Sequence, residues 1–181
     1  ARITSTLVSL GYLKQLPNTT KYLLDVGVLA LGYAALSNIS ARTQAYPFME
    51  EMSRYSQAPV AMATRDRLSM IYLEVVHTES TLTMRRPVGS TLPIHSSAMG
   101  RACLAAMDVK EREYLFDAIK KRNEDQWPTI KRNLERAIRD YQDYGYCLSL
   151  GDWAKDVNSV AVPLVHPKHG ILTFNCGAPS Y

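Results

Sequence analysis

The sequence predicts an α+β fold, an antiparallel sheet with helices packed at its faces. Three observations carry this. Short apolar runs at residues 60–64, 69–75, 159–165 and 171–176 have the length and composition of strands, and tight turns join them in pairs. Three helical segments between residues 98 and 144 separate the two groups of strands. Hydrophobic residues make up 46% of the 181 and charged residues 21%, enough apolar material for a sizeable core.

Residues 2–10 read as a helix with Ile3, Leu7 and Leu10 on one face, stopped at Gly11. Residues 12–16 and 21–24 flank the turn cluster Pro17-Asn18-Thr19-Thr20, a β-hairpin signal. Helix then hairpin is the order of a recognition helix and wing, and Arg2, Thr4, Ser5, Thr6 and Lys14 are residue types that contact phosphates and bases. A surface helix and hairpin without a nucleic-acid role fits the same pattern. The net charge of +4 and pI near 9.0 are compatible with nucleic acid but too mild to identify it.

Asp25 is expected to cap a helix running to about Asn38. Its residues 26–36 leave almost no polar face, so it must be buried in a core or against a partner. The run is too short to span a bilayer, and no signal peptide precedes it. Ser40 is expected to cap the next helix, with Ala41, Ala45, Phe48, Met52 and Tyr55 forming its core face and Met49 widening it. After Pro59 come two strands around an Arg65-Asp66-Arg67 turn, then a third at residues 82–86. Arg85 and Arg86 are adjacent in that strand and face opposite sides, which argues against a bidentate anion clamp.

Residues 88–102 form the most informative stretch. A proline-marked loop ends at Ser96-Ser97, and Ser97 is a good N-cap for the small-residue helix that follows. The free N–H groups of Ala98, Met99 and Gly100 would then point out of the helix end, a ready receptor for a carboxylate or phosphate. Asp108 and Glu111 form an Asp-led capping box for a second helix. The third carries Ile130, Leu134, Ile138, Tyr141 and Tyr144 on one face and ends at Gly145. Pro163, in the second of the last three strands, suggests an edge or a bulge.

No metal, cofactor or covalent chemistry is indicated. His166 and His169 bracket a hairpin turn, glycine-rich nucleotide fingerprints are absent, and Cys103, Cys147 and Cys176 are widely separated and odd in number. That cysteine usage favours a reducing, cytoplasmic setting. A small serine hydrolase using Ser96 or Ser97 with His95 is the competing enzyme reading, although no GxSxG elbow is present. Cys176 sits in an apolar strand, where an inert thiol is commoner than a nucleophile.

Five ordered segments carry a family resemblance. They are Arg2-Ile3-Thr4-Ser5-Thr6-Leu7 with Gly11-Tyr12; Tyr22-Leu23-Leu24-Asp25-Val26-Gly27; Leu92-Pro93-Ile94-His95-Ser96-Ser97-Ala98-Met99-Gly100-Arg101-Ala102; Gly145-Tyr146; and Asn158 to Pro163 with Gly177-Ala178-Pro179. Together they resemble the IclR-type transcriptional regulators over essentially the whole chain. The resemblance implies the end of a winged helix-turn-helix DNA-binding domain at 1–24 and a linker helix that dimerises at 25–39. It further implies a GAF-like (profilin-like) effector-binding domain at 40–181 that lacks the family's last helix. It implies dimers or tetramers on palindromic double-stranded operator DNA, a small organic acid as effector, and no enzymatic activity. Effector contacts carried over by position are the backbone of Ala98 and Met99, with Ser149, Ser159, Phe174 and Cys176. Where some members have polar residues, Phe174 and Cys176 make the far end of this pocket less polar, a hint of a bulkier or aromatic acid.

Overall fold

The computed structural model describes residues 2–77 and 86–180. The chain divides into two compact units, Ala1–Ser40 and Ala41–Tyr181.

In the first unit, α1 (Arg2–Ser9) stops at Gly11, whose φ of +73° suits a residue without a Cβ. Strands β1 (Leu13–Gln15) and β2 (Tyr22–Leu24) pair antiparallel, Leu13 opposite Leu24. The expected apolar face of α1 is not a core face, because none of its residues is buried. Helix α2 (Gly27–Ser37) starts without a side-chain cap. Asp25 does not act as the N-cap: its carboxylate accepts only from the adjacent Val26 N–H, and its carbonyl from Val28 N–H. Gly27 is required here, since a Cβ would stand 2.5 Å from the Gly11 carbonyl oxygen. No residue of α2 is buried, so of the two readings of this apolar helix, burial within its own unit does not hold.

Helix α3 starts at Ser40 itself (Ser40–Ser56), and from Ala41 on it belongs to the second unit. Its buried residues are Ala41, Met49 and Ser53, while Phe48, Met52 and Tyr55 are exposed. Of the expected face, Ala41 and Met49 are buried, and Phe48, Met52 and Tyr55 are not; Ser53 takes the place expected of Met52. Ser53 can occupy the core because its hydroxyl donates to the Ala58 carbonyl at 2.8 Å.

Strands β3 (Val60–Asp66), β4 (Ser69–Val76), β5 (Thr91–Pro93), β6 (Cys147–Leu150), β7 (Val157–His166) and β8 (Gly170–Pro179) form one antiparallel sheet in the order β5-β4-β3-β8-β7-β6. Of the strand expected at 82–86, residues 82–85 lie outside the described residues and Arg86 is in no strand. The partner of β4 is instead Thr91–Pro93, which the sequence reads as loop. A proline is tolerated there because β5 is an edge strand. Pro163 follows the same rule: β6 pairs with β7 only as far as Ala161, so Pro163 has a neighbour on one side, Thr173.

Helices α4 (Ala98–Ala105), α5 (Val109–Arg122) and α6 (Trp127–Tyr144) cover one face of the sheet. All eight residues of α4 are buried, between β3, β6, β7 and β8 on one side and α6 on the other. Ala98, Ala102 and Ala105 on the helix and Ala61, Ala63 and Ala161 on the strands permit that close approach. Asp108 caps α5 by accepting from Lys110 N–H, but Glu111 does not complete a capping box; its carboxylate takes Arg65 at 2.6 Å. Ile130, Leu134 and Ala137 bury the apolar face of α6, and Gly145 (φ +82°) ends it. Helix α3 lies over the opposite face, where its Phe48, Met49 and Met52 line an open groove together with Val60, Leu164 and Phe174 of the sheet.

Candidate functional site

The start of α4 is built by its own loop. Ser97 is extended (φ −80°, ψ 147°), and its hydroxyl oxygen accepts from Gly100 N–H at 3.1 Å while donating to the Pro93 carbonyl at 2.7 Å. A Cβ on Gly100 would overlap the backbone of Ile94, so glycine there lets the loop fold back on the helix. The cap uses up the Gly100 N–H, one of the three donors expected to be free. No described residue accepts from the N–H groups of Ala98 and Met99, although both residues are fully buried. Two buried donors at the positive end of a helix dipole favour an anion.

These donors stand at a cavity of about 60 Å³ lined also by Tyr72, Arg86, Trp153, Ser159 and Asn175. One water needs about 10–15 Å³ on this scale, so the space suits a small molecule. Burial pushes the Tyr72 hydroxyl above its ordinary pKa, opposed in part by the charge of Arg86, which keeps Tyr72 a neutral phenol. Arg86 stacks over the Trp153 ring, its guanidinium carbon 4.5 Å from the ring centre. The Asn175 side-chain oxygen is buried without a hydrogen-bond partner among the described residues.

Of the residues carried over by resemblance, Ala98, Met99 and Ser159 come together at this cavity. Ser149, opposite Ser159 in register, lies beneath the loop instead: it is buried and its hydroxyl donates to the Ser96 carbonyl at 2.8 Å. Phe174 and Cys176 do not line the cavity. They pair in register with Met62 and Val60 and face α3, where the Cys176 thiol donates to the Ser56 hydroxyl at 3.4 Å. Strand alternation instead turns their neighbours Asn175 and Gly177 to the cavity. The less polar far end expected from Phe174 and Cys176 is therefore not their work. Sequence reasoning missed Tyr72, Trp153, Asn175 and the role of Arg86 as a wall residue. The parity of β8 would have been readable only from its register with Ser159, which pairs with Gly177.

The hydrolase geometry is not assembled. The Ser97 hydroxyl is committed to the cap, and among the described residues His95 makes no hydrogen bond to Ser96 or Ser97. Burial, reinforced by the nearby Arg101 charge, lowers the His95 pKa, so the imidazole is neutral at pH 7. Burial drives the Cys103 and Cys147 thiols up to about 12, which makes both poor nucleophiles. Arg2, Thr4, Ser5, Thr6 and Lys14 belong to the other unit, the first four on α1 and Lys14 on β1. No group of metal-binding side chains occurs, and no helix is long and apolar enough to cross a membrane, among the described residues.

The family model for the bacterial transcriptional regulator IclR C-terminal domain matches residues 33–172. The chain belongs to the IclR family. It is similar to the HTH-type transcriptional regulator TsaQ1/TsaQ2 of Comamonas testosteroni, 36% identical over 167 residues, 91% of this chain and 60% of that regulator. Among solved structures it resembles an IclR family transcriptional regulator from Brucella abortus, with 57% identity and a TM-score of 0.94 over 99% of this chain and 68% of that one. An IclR homologue from Microbacterium hydrocarbonoxydans, solved with 4-hydroxybenzoate, shares the fold at 20% identity and TM-score 0.69, over 98% of this chain and 74% of that one. The relatives are transcriptional regulators rather than enzymes, and the chain spans about 60% of the length of the curated regulators it matches.

Proposed function

We propose that the protein is a DNA-binding transcriptional regulator whose second unit binds a small organic acid and so controls operator binding. The observation that carries this is the pair of buried N–H groups of Ala98 and Met99, without an acceptor among the described residues, opening on the cavity at the start of α4. An aromatic acid is favoured by the Tyr72 and Trp153 walls and by the 4-hydroxybenzoate held by the Microbacterium homologue. Ser159 contributes a wall hydroxyl, and Ser149 braces the loop.

In this reading residues 1–24 end a winged helix-turn-helix domain, with Arg2, Thr4, Ser5, Thr6 and Lys14 toward DNA. Residues 25–39 form a linker helix, and residues 40–181 form the effector-binding domain. The exposed apolar side chains of α2, Leu29 and Tyr33 among them, support self-association into a dimer or tetramer. A regulator of this kind works in the cytoplasm. The test is fluorescence anisotropy of the full-length protein on its own promoter DNA, titrated with a panel of small carboxylates. At least one acid is expected to change the affinity for DNA; affinity unaltered across the panel would overturn the reading.

A further inference from the structure

We propose that Arg86 is the counter-ion of the effector's carboxylate, positioned for that task by Trp153. The inference rests on the acid-effector reading above and adds the charged group to it.

Three other arginines of this unit each have an acid. Arg42 pairs with Glu74 at 3.2 Å, Arg65 with Glu111 at 2.6 Å and Arg101 with Asp152 at 2.7 Å. Arg86 has none among the described residues. It is half-buried in the cavity wall, and its one hydrogen bond among the described residues, to the Thr91 carbonyl, is long at 3.5 Å. No aspartate or glutamate is among the described residues that line the cavity.

A half-buried guanidinium without a counter-ion is unfavourable, because part of its hydration is lost and nothing replaces it. Stacking on Trp153 offsets some of that loss and, apart from the long bond to the Thr91 carbonyl, leaves the donor edge of the guanidinium without a partner among the described residues. The cavity thus combines two positive elements, the guanidinium and the N–H groups at the start of α4, with no negative one among the described residues that line it. A planar carboxylate satisfies both kinds of donor, since it offers about four lone-pair sites and matches the arginine fork. Arg86 is also the half of the Arg85-Arg86 pair that needs no bidentate clamp with its neighbour. One guanidinium on the cavity wall is sufficient.

The test is calorimetry of the full-length protein with acetate, pyruvate, benzoate and 4-hydroxybenzoate, and with the neutral amide of whichever acid binds best. Wild type should prefer the acid to its amide. Arg86→Met should weaken the acid by about 10- to 100-fold, the loss of a charge-assisted pair, and weaken the amide far less. Arg86→Lys should recover part of the loss, and Trp153→Leu should weaken the acid with Arg86 intact. Circular dichroism confirms folding, and the lysine variant carries the test if the methionine variant does not fold. Equal acid affinity in wild type and Arg86→Met overturns the assignment while leaving the acid-effector reading standing. So does an equal loss for acid and amide, because charge is then not what Arg86 reads. Wild type that binds none of the acids, or binds the amide as well, overturns both.

Discussion

Arg101 donates through one nitrogen to both the Asp152 carboxylate, at 2.7 Å, and the Leu148 carbonyl, at 2.8 Å. Its Nε reaches the His95 carbonyl at 3.4 Å. A single side chain, 3% exposed, therefore ties the loop before α4 to the end of β6 and to the loop that carries Trp153. Asp152→Ala strands that guanidinium. Its cost should be about 3 kcal/mol, the low end for breaking a buried pair because Asp152 is partly open to water. Urea unfolding measures this directly, and an unchanged midpoint would show that the pair does not hold the loop.

Gly100 gives a prediction whose sign is informative. In an unobstructed helix Gly→Ala stabilises by about 1 kcal/mol. Here the new Cβ meets the Ile94 backbone, which cannot rotate away as a side chain would. Gly100→Ala should destabilise by about 1–3 kcal/mol as an overpacked site. A rise in melting temperature would contradict the close approach.

His95 supplies a pH dependence. Burial first, and the Arg101 charge second, lower its pKa in the folded state below 6.5. Above pH 6.5 the imidazole is neutral folded and unfolded, so it contributes no pH dependence. Below 6.5 the unfolded chain takes up the proton more readily, so stability falls as pH drops toward the folded pKa. His95→Gln should flatten this part of the stability profile below pH 6.5. A slope unchanged by the substitution would place the titration elsewhere.

The helix start at the cavity was legible in the sequence because it depends on local chemistry. The Ser97 cap, with Ala98 and Gly100 behind it, specifies the helix start from local chemistry, and the same is true of α6, with its wide apolar face and Gly145 stop. What was not legible depended on partners. Phe48, Met52 and Tyr55 repeat at helical spacing as well as a core face does, yet of the expected face only Ala41 and Met49 are buried, with Ser53 beside them. Phe174 and Cys176 share one strand parity and Asn175 and Gly177 the other, and only pairing with β3 and β7 decides which pair meets α4. Arg86 was invisible as a wall residue because its neighbour Trp153 lies 67 positions away in sequence and arrives through the Arg101 tie.

The proposed role of the α4 donors can be separated from the stability of the helix. Ala98 is the first helical residue, where proline is well tolerated because its absent N–H is one that no helical carbonyl needs. Ser97 already has the extended backbone that a following proline demands. Ala98→Pro should therefore fold, lose one donor to the cavity, and bind a carboxylate effector about 1–3 kcal/mol more weakly, the range for a hydrogen bond to a charged group. The matched control is Ala98→Ser, which adds a small side chain and keeps the N–H. Calorimetry should find the proline variant weakened well beyond the serine variant. Equal affinities would mean that crowding rather than the missing donor acts at this position, and that the acid group is held elsewhere on the cavity wall.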